Sequence, residues 1–592
     1  MSSYPYQDKS LSVEDRIDDL LPRLSLEEKA GLMFHMMIPA NPDLEKKNPN
    51  FSTFPSTKEM LERGLTHFNI TGTFDTPKEF AEFTNQLQKA ALDIGRWGIP
   101  VTLSTDPRNA FIDNPQLSLP PGPFSQWCEH IGMAAIGDEG RMQEFADIVR
   151  QEYLAVGLRA ALHPQADLAT ESRWSRTPGS LGEDADMSTR LAAAEIRGLQ
   201  TKKFGHESVA ACIKHFPGGG TVKDGTDPHF SWGAEQIYPG GMEMFEYHLK
   251  PFRTAVDEGV RVVMPSYGKP MGIGYEEVGM GFNKAITHDL LRDGLGFKGV
   301  VVSDWGLCVD MPGANIIGDI ATARAWGVEH LSPEDRAVKC INSGCDQLGG
   351  EYTPSFIVNT VKDGRLSEDT VNDSVRRILR DKFELGLFDN PYVDVNKANK
   401  IVGNKKFKAA GVNAQMDSVC LLKNDKPAGI HKKMLPFPKD YKVYLEGFKE
   451  KHFRYVVDSP DEADVAVVRL ATPWVPTGNG PFAARFHHGA LEWNDDVLEN
   501  IRKLSKRVPV VIEIFAERPP VLGTLDHDAS AIMVSFGLSE PALVDVLHGH
   551  SPKGKLPFDL PRSTAAVIDS KTDTPFDTRN PTYRFGHGLR YD

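Results

Sequence analysis

The chain has 592 residues, 40% hydrophobic and 25% charged, which is ordinary globular usage and excludes a collagen-like or disordered polymer. Its formal net charge of −14 disfavours binding to a phosphate backbone, so no nucleic-acid partner is expected. No apolar run reaches the ~18 residues of a membrane helix, and the N-terminus MSSYPYQDKS lacks the basic cluster and apolar core of a signal peptide.

In chain order, the first predicted elements are helices. Ser12 and Ser25 read as N-caps, each with an acidic residue three positions on, Asp15 and Glu28. Between residues 100 and 350, short β-branched runs at 101–105, 158–163, 208–213, 260–264 and 300–303 alternate with helix-like stretches. Runs that are apolar on both faces and separated by helices predict βα units around a parallel sheet. Polar residues follow each run in turn: Asp106, then His163 and Asp167, then Lys214 and His215, then Ser266 and Tyr267, and last Asp304. Such residues at the C-terminal ends of successive strands are where a (β/α)8-like, TIM-type barrel builds its active site. The class is therefore α/β, with a catalytic barrel over 1–390. The polar segment that follows, with Pro391 and Gly403, reads as a linker over 391–412. A second series of runs at 442–445, 465–470, 509–515 and 531–535 predicts an α/β sandwich domain over 413–592. The six cysteines, Cys128, Cys212, Cys308, Cys340, Cys345 and Cys420, show no CxxC spacing and read as buried thiols of a reducing, cytoplasmic compartment.

Three segments carry chemistry. Lys214-His215-Phe216-Pro217-Gly218-Gly219-Gly220 sets a lysine–histidine pair at a strand end, followed by glycines that let backbone turn tightly close to a ligand. No GKS or GKT follows, so this is not a nucleotide P-loop; the pair offers bonds to neutral hydroxyls. In VVVSDWG, residues 300–306, Asp304 ends an apolar strand beside Trp305. A rigidly held carboxylate can act as the nucleophile of glycoside cleavage, and a tryptophan can stack on a sugar face; the other reading makes Asp304 a helix cap. In the loop 167–184, Arg173 and Arg176 flank Trp174, and arginine over a barrel mouth can hold hydroxyls or orient a carboxylate.

KHFPGGG, VVSDWG, the RW-R…GED loop and Ile99-Pro100…Asp106 together resemble, in order and spacing, the exo-acting β-glycosidases of glycoside hydrolase family 3. The segments Val419-Cys420-Leu421-Leu422-Lys423-Asn424 and Gly554-Lys555-Leu556-Pro557 are similar to motifs of that family's second domain, so the resemblance spans nearly the whole chain. It implies a retaining mechanism with Asp304 as nucleophile. It also implies a −1 subsite of Asp106, Arg173, Lys214, His215 and Tyr267, with Trp305 as an aromatic wall. The implied partner is a carbohydrate or small glycoside, β-D-glucosyl first, with no metal and no cofactor; a homodimer is left open. β-Xylosidase, β-N-acetylhexosaminidase and a catalytically impaired sugar-binding form stand as alternatives. Hexosaminidase relatives usually carry KHFPGHG, and Gly219 takes that histidine's place here.

A retaining glycosidase also needs a second carboxyl about 5–5.5 Å from the nucleophile to protonate the leaving oxygen. Many family members carry it as a glutamate just past the strand corresponding to 465–470, but no Asp or Glu lies between Asp464 and Glu492 here. Four readings are open. Glu492 folds back into the barrel mouth, which is the leading one; His487 or His488 serves; a residue of 224–229 such as Asp227 serves; or the donor has been lost at Ala483 or Ala484. Trp474, Phe482, Phe486 and Trp493 read either as an apolar aglycone site or as core packing.

Overall fold

A computed structural model describes residues 4–47, 54–111, 118–310, 322–427, 431–480 and 482–591. The first helices start where the sequence caps them. Ser12 Oγ accepts from the Asp15 N–H, and Ser25 completes the reciprocal box, accepting from the Glu28 N–H while its own N–H donates to the Glu28 carboxylate.

Eight strands form one parallel sheet: β1 (Phe34–Pro39), β2 (His67–Thr71), β3 (Thr102–Thr105), β4 (Ala160–Ala161), β5 (Ala210–Phe216), β7 (Val262–Pro265), β9 (Val300–Val301) and β10 (Leu348–Gly349). A separate ribbon pairs β6 (Glu235–Ile237) with β8 (Lys269–Met271). The sheet order is β10-β1-β2-β3-β4-β5-β7-β9, and a parallel bridge from Val302 to Gln347 joins its two ends into a barrel. The five strands expected from the sequence are present; β1, β2 and β10 were not anticipated. At the N-terminal end of β2 and β3, the buried Lys382 of the helix Glu368–Glu384 donates to Thr66 O, Pro100 O and Thr102 Oγ1 at 3.1, 2.9 and 2.9 Å. Three acceptors satisfy all three ammonium protons, so this end is plugged and the opposite end is left for chemistry.

The linker expected over 391–412 is structured. Helices Val395–Ile401 and Lys405–Asp417 occupy most of it. Asn85 bonds Val393 in both directions at 2.9 Å, and Asn399 accepts from the Lys78 N–H, so the segment is fastened to the barrel helix Pro77–Ile94. The second domain has β11 (Cys420–Asn424), β12 (Val443–Glu446), β13 (Val456–Val457), β14 (Val465–Ala471), β15 (Val510–Phe515) and β16 (Ala531–Ser535), in the order β11-β16-β15-β14-β12-β13. Only β11 runs antiparallel to its neighbour. Ala466, Val468, Ile512 and Ile514 pack on one face and Val465, Val467, Val511 and Met533 on the other, which is why these strands read as continuous apolar runs.

The chain then returns to the barrel. Glu183 accepts N–H bonds from Asp559 (2.7 Å) and Phe576 (2.9 Å), and Thr170 Oγ1 donates to Thr572 O (2.6 Å). Burial pushes the Glu183 carboxyl up to about 8 despite those two donors. The second domain is thus tied to the loops that carry the site.

Candidate active site

Asp106 follows β3 at the open end. Lys214 Nζ donates to its Oδ1 (2.8 Å) and Asn69 Nδ2, from β2, to its Oδ2 (2.9 Å). Burial works against its charge, but Lys214, then Asn69 and the more distant Arg176, hold the carboxyl below the usual range. An anion so held accepts hydrogen bonds from hydroxyls. Behind it the buried Arg108 donates to Thr105 Oγ1, Gly72 O and Ile70 O and fixes the turn.

At the end of β5, the His215 backbone N–H and Nδ1–H both donate to Asp167, at 3.0 and 2.6 Å, and the Gly219 N–H joins them at 2.5 Å. The glycines therefore serve a different end from the one expected. Gly218 has φ +131°, and a Cβ on Gly220 would lie 1.9 Å from Leu168 O. The loop clasps its protein neighbour, and in doing so leaves His215 Nε2 facing Asp304, 3.7 Å from its Oδ2.

Asp304 follows β9. Its Oδ1 accepts the Trp305 N–H (2.8 Å), whereas its Oδ2 is buried, has no hydrogen-bond partner and lies 3.7 Å from His215 Nε2. The bonded N–H is that of the next residue, with no helix following among the described residues up to 310, so the capping alternative falls. Tyr267 is 2% exposed, and its hydroxyl donates to Trp305 O (2.9 Å), bracing this turn. Burial, and next the Asp304 charge, push that phenol well above its ordinary range, so it remains a donor. Trp305 lies on Gly349 and Gly350, where a Cβ would meet the ring at 2.9 and 2.7 Å, and against His35, 5.3 Å between centroids. Arg324, which the sequence reading missed, is buried with its charge beside Tyr267 and Asp304.

The two loop arginines part company. Arg173 is gripped by Glu171, Nε to Oε1 at 2.8 Å and Nη2 to Oε2 at 2.9 Å, with Asp224 at 3.5 Å. The guanidinium expected to hold the sugar is committed to protein carboxylates. Arg176 is 5% exposed, its Nε has no partner, and its charge reaches Asp106 and Asp227. This corrects the expectation for Arg173: Arg176 is the arginine turned inward, a choice that spacing alone could not make. Asn69 Oδ1, Ser175 Oγ, Arg176 Nε, Asp304 Oδ2 and Trp305 Nε1 are all buried without a protein partner. Buried polar atoms are rarely left so, and such a concentration around one mouth marks a place made to bond something polar.

The expected proton donor is elsewhere. Glu492 accepts the Thr564 N–H (2.8 Å) at the start of the helix Thr564–Asp569 and pairs with Val521, both within the second domain. It caps a helix and does not fold back. His487 Nδ1 donates to Glu517 (2.8 Å) and its ring stacks on Trp474 at 4.2 Å; His488 Nε2 bonds Thr477 Oγ1 (2.7 Å). Asp227 is buried, accepting from Trp174 Nε1 (3.0 Å) and twice from His229. The aromatic loop residues divide: Trp493 joins the second-domain core, Phe486, Ala483 and Phe482 pack on Phe230 of the barrel, and Trp474 stays exposed.

Among the described residues, one buried cluster has metal-binding composition: His130, His163 and Glu195. His163 Nδ1 lies 2.5 Å and His130 Nε2 3.3 Å from the same Glu195 oxygen. Two ligands on a tetrahedral ion with 2.0–2.1 Å bonds stand roughly 3.3 Å apart. The shorter contact is a hydrogen bond, and the cluster is a buried hydrogen-bonded triad.

The model of the glycosyl hydrolase family 3 N-terminal domain matches residues 55–380, and that of the C-terminal domain matches 447–591. A probable β-glucosidase C of Aspergillus flavus is 45% identical over 99% of this chain and 92% of its own length. A periplasmic β-glucosidase/β-xylosidase of Dickeya chrysanthemi is 37% identical over 99% and 91%. Among solved structures, a mutant exo-1,3/1,4-β-glucanase of a Pseudoalteromonas species is similar with a TM-score of 0.77 at 21% identity, covering 100% of this chain and 97% of that one. A mutant β-glucosidase of Listeria innocua gives 0.75 at 21%, over 98% and 83%. These two likenesses are of fold alone. With both domain models matched and relatives aligned end to end, the chain belongs to glycoside hydrolase family 3 and is a glycosidase.

Proposed function

We propose that this enzyme removes a terminal β-glucosyl residue from a small glycoside or oligosaccharide by a retaining double displacement on Asp304. One observation carries this reading: a buried carboxylate oxygen, Oδ2 of Asp304, that no protein group bonds, beside His215 Nε2 in a ring of hydroxyl-binding groups. Its partner oxygen is pinned by the Trp305 N–H, which aims the free one. Asp106 accepts from sugar hydroxyls, Lys214 and Arg176 donate, and His215 bonds through Nε2. A pocket so furnished rejects sugars that leave its groups unpaired. The β-glucosidase names of the most similar relatives support glucose as the sugar. The Dickeya protein, named for both activities, favours a second reading in which β-xylosides are also cleaved.

A panel of nitrophenyl glycosides tests the substrate. The expected order in kcat/KM is β-glucoside first, with β-xyloside roughly 10–100-fold lower for the missing hydroxymethyl group. Preference for the N-acetylglucosaminide, or no turnover of any sugar, contradicts the proposal.

A further inference from the structure

The second domain ends in a strap that returns to the barrel, and the inference drawn from it rests on the reading of His215 as a sugar-binding group. Past the helix Thr564–Asp569, the Lys571 N–H donates to Asp577 Oδ2 (2.7 Å) and closes residues 571–577 into a short loop. Within it Phe576 takes a φ of +57°, a left-handed conformation that an aromatic residue adopts only at a cost, and its N–H meets Glu183 Oε2 at 2.9 Å. Strain of this kind persists where the surroundings hold the chain to one shape. Two residues of the strap, Thr572 and Asp573, are 6% and 0% exposed.

Thr572 bonds two barrel loops at once. Its carbonyl accepts from Thr170 Oγ1 (2.6 Å), three residues past Asp167, and its own Oγ1 donates to Val222 O (2.7 Å), two residues past the triple glycine. Asp573 supports the glycine turn. Its Oδ2 accepts the Gly240 N–H (2.8 Å), and its carbonyl accepts from His248 Nε2 (2.9 Å). The His248 side chain lies against Gly218, where an added Cβ would stand 2.9 Å from that of His248. We propose that Thr572 and Asp573 are positioning residues of the barrel site: they clamp the two loops whose clasp on Asp167 aims His215 at the nucleophile.

Asp167, on one loop, accepts the Gly219 N–H of the other together with the two donors of His215. Movement of either loop opens that clasp and turns His215 Nε2 away from Asp304 Oδ2, to which it keeps 3.7 Å. β4 has only two residues, so its own ladder does little to hold the 167–184 loop, and the strap supplies what the strand does not. A displacement of about 1 Å is enough to cost a site 10²-fold.

Thr572→Val keeps the shape of the side chain and removes the bond to Val222 O, leaving that carbonyl buried and unpaired. Its kcat/KM on nitrophenyl β-glucoside should fall about 10–100-fold, with most of the loss in kcat. Thr572→Ser, which keeps the hydroxyl, should stay within about threefold of the unaltered enzyme. In a His215→Ala background the Thr572→Val change should cost less than about threefold, because the group it positions is gone. Val546→Ala supplies the structural comparison. It opens a cavity in the second-domain core that holds no barrel residue, and should lower Tm at least as far while kcat/KM stays within about twofold. Thr170→Val removes the bond to Thr572 O from the barrel side and takes the same measurements if Thr572→Val does not fold. Equal losses with and without His215, a loss in Thr572→Ser or Val546→Ala as large as in Thr572→Val, or unaltered kinetics in Thr572→Val overturns the proposal. Labelling of Asp304 by a 2-fluoroglucosyl donor is judged separately. Its failure in the unaltered enzyme strikes the retaining reading, whereas the coupling of Thr572 to His215 is read on any glycoside the enzyme turns over.

Discussion

Replacement of Asp304 by glycine should lower kcat on nitrophenyl β-glucoside by about 10⁵-fold while KM stays within a few-fold, as for loss of other enzymic nucleophiles. The small residue opens the floor of the pocket below the anomeric carbon without touching Asp106, Lys214 or His215, whose bonds run to one another, to Asn69 and to Asp167. Azide can enter that space and attack from the face the carboxylate held, so rescue should yield α-glucosyl azide. A loss of under 100-fold, or a β-azide, would assign the nucleophile to another residue.

The second large effect concerns recognition. Asp106→Ala should lower kcat/KM for the β-glucoside by about 10³–10⁴-fold, because the hydroxyls that the carboxylate accepts from are left unpaired, as is Lys214. Breaking a fully buried ion pair costs about 3–5 kcal/mol. The Asp106 side chain is 27% exposed, so roughly 2 kcal/mol of stability is the expected loss here. Deoxy sugars separate binding from stability. For the hydroxyl that Asp106 holds, the unaltered enzyme should discriminate against the deoxyglucoside by about 10²–10⁴-fold and the variant by almost nothing. Full retention of that discrimination in the variant would show that Asp106 serves only its protein neighbours, Lys214 and Asn69.

Much of this arrangement was legible in the chain itself, and the gaps have physical causes. Strands β3, β4, β5, β7 and β9 announce themselves because parallel strands covered on both faces are continuous apolar runs ended by polar residues. β2 hides because its sequence, HFNIT, carries His67 and Asn69 toward the polar interior, and Asn69 turns out to bond Asp106. β10 (Leu348–Gly349) hides because Asp346 and Gln347 precede it and Gly350 and Glu351 follow it, so no apolar run surrounds it. Asp304, Lys214 and His215 were recoverable because strand ends fix direction. Arg173 and Arg176 were not separable because a turn has no period, and the decision falls to Glu171, which captures one of them. Glu492 failed for a related reason: a carboxylate's use depends on which N–H groups the fold brings to it, and here the nearest belongs to Thr564. The triple glycine suggests a ligand-facing turn, yet its close contacts are His248, Asp167 and Leu168, since sequence shows that a Cβ is excluded but not by what.

The whole scheme requires a covalent bond between sugar and Asp304. The enzyme should be incubated with 2,4-dinitrophenyl 2-deoxy-2-fluoro-β-glucoside, whose fluorine slows the second step, then digested with trypsin and sequenced by mass spectrometry. The account predicts one equivalent of dinitrophenolate in a burst and a fluoroglucosyl group on the peptide 299–324, with fragmentation placing it on Asp304 and not on Asp310 or Asp319. A label on any other carboxylate, or steady turnover with no label, would contradict it.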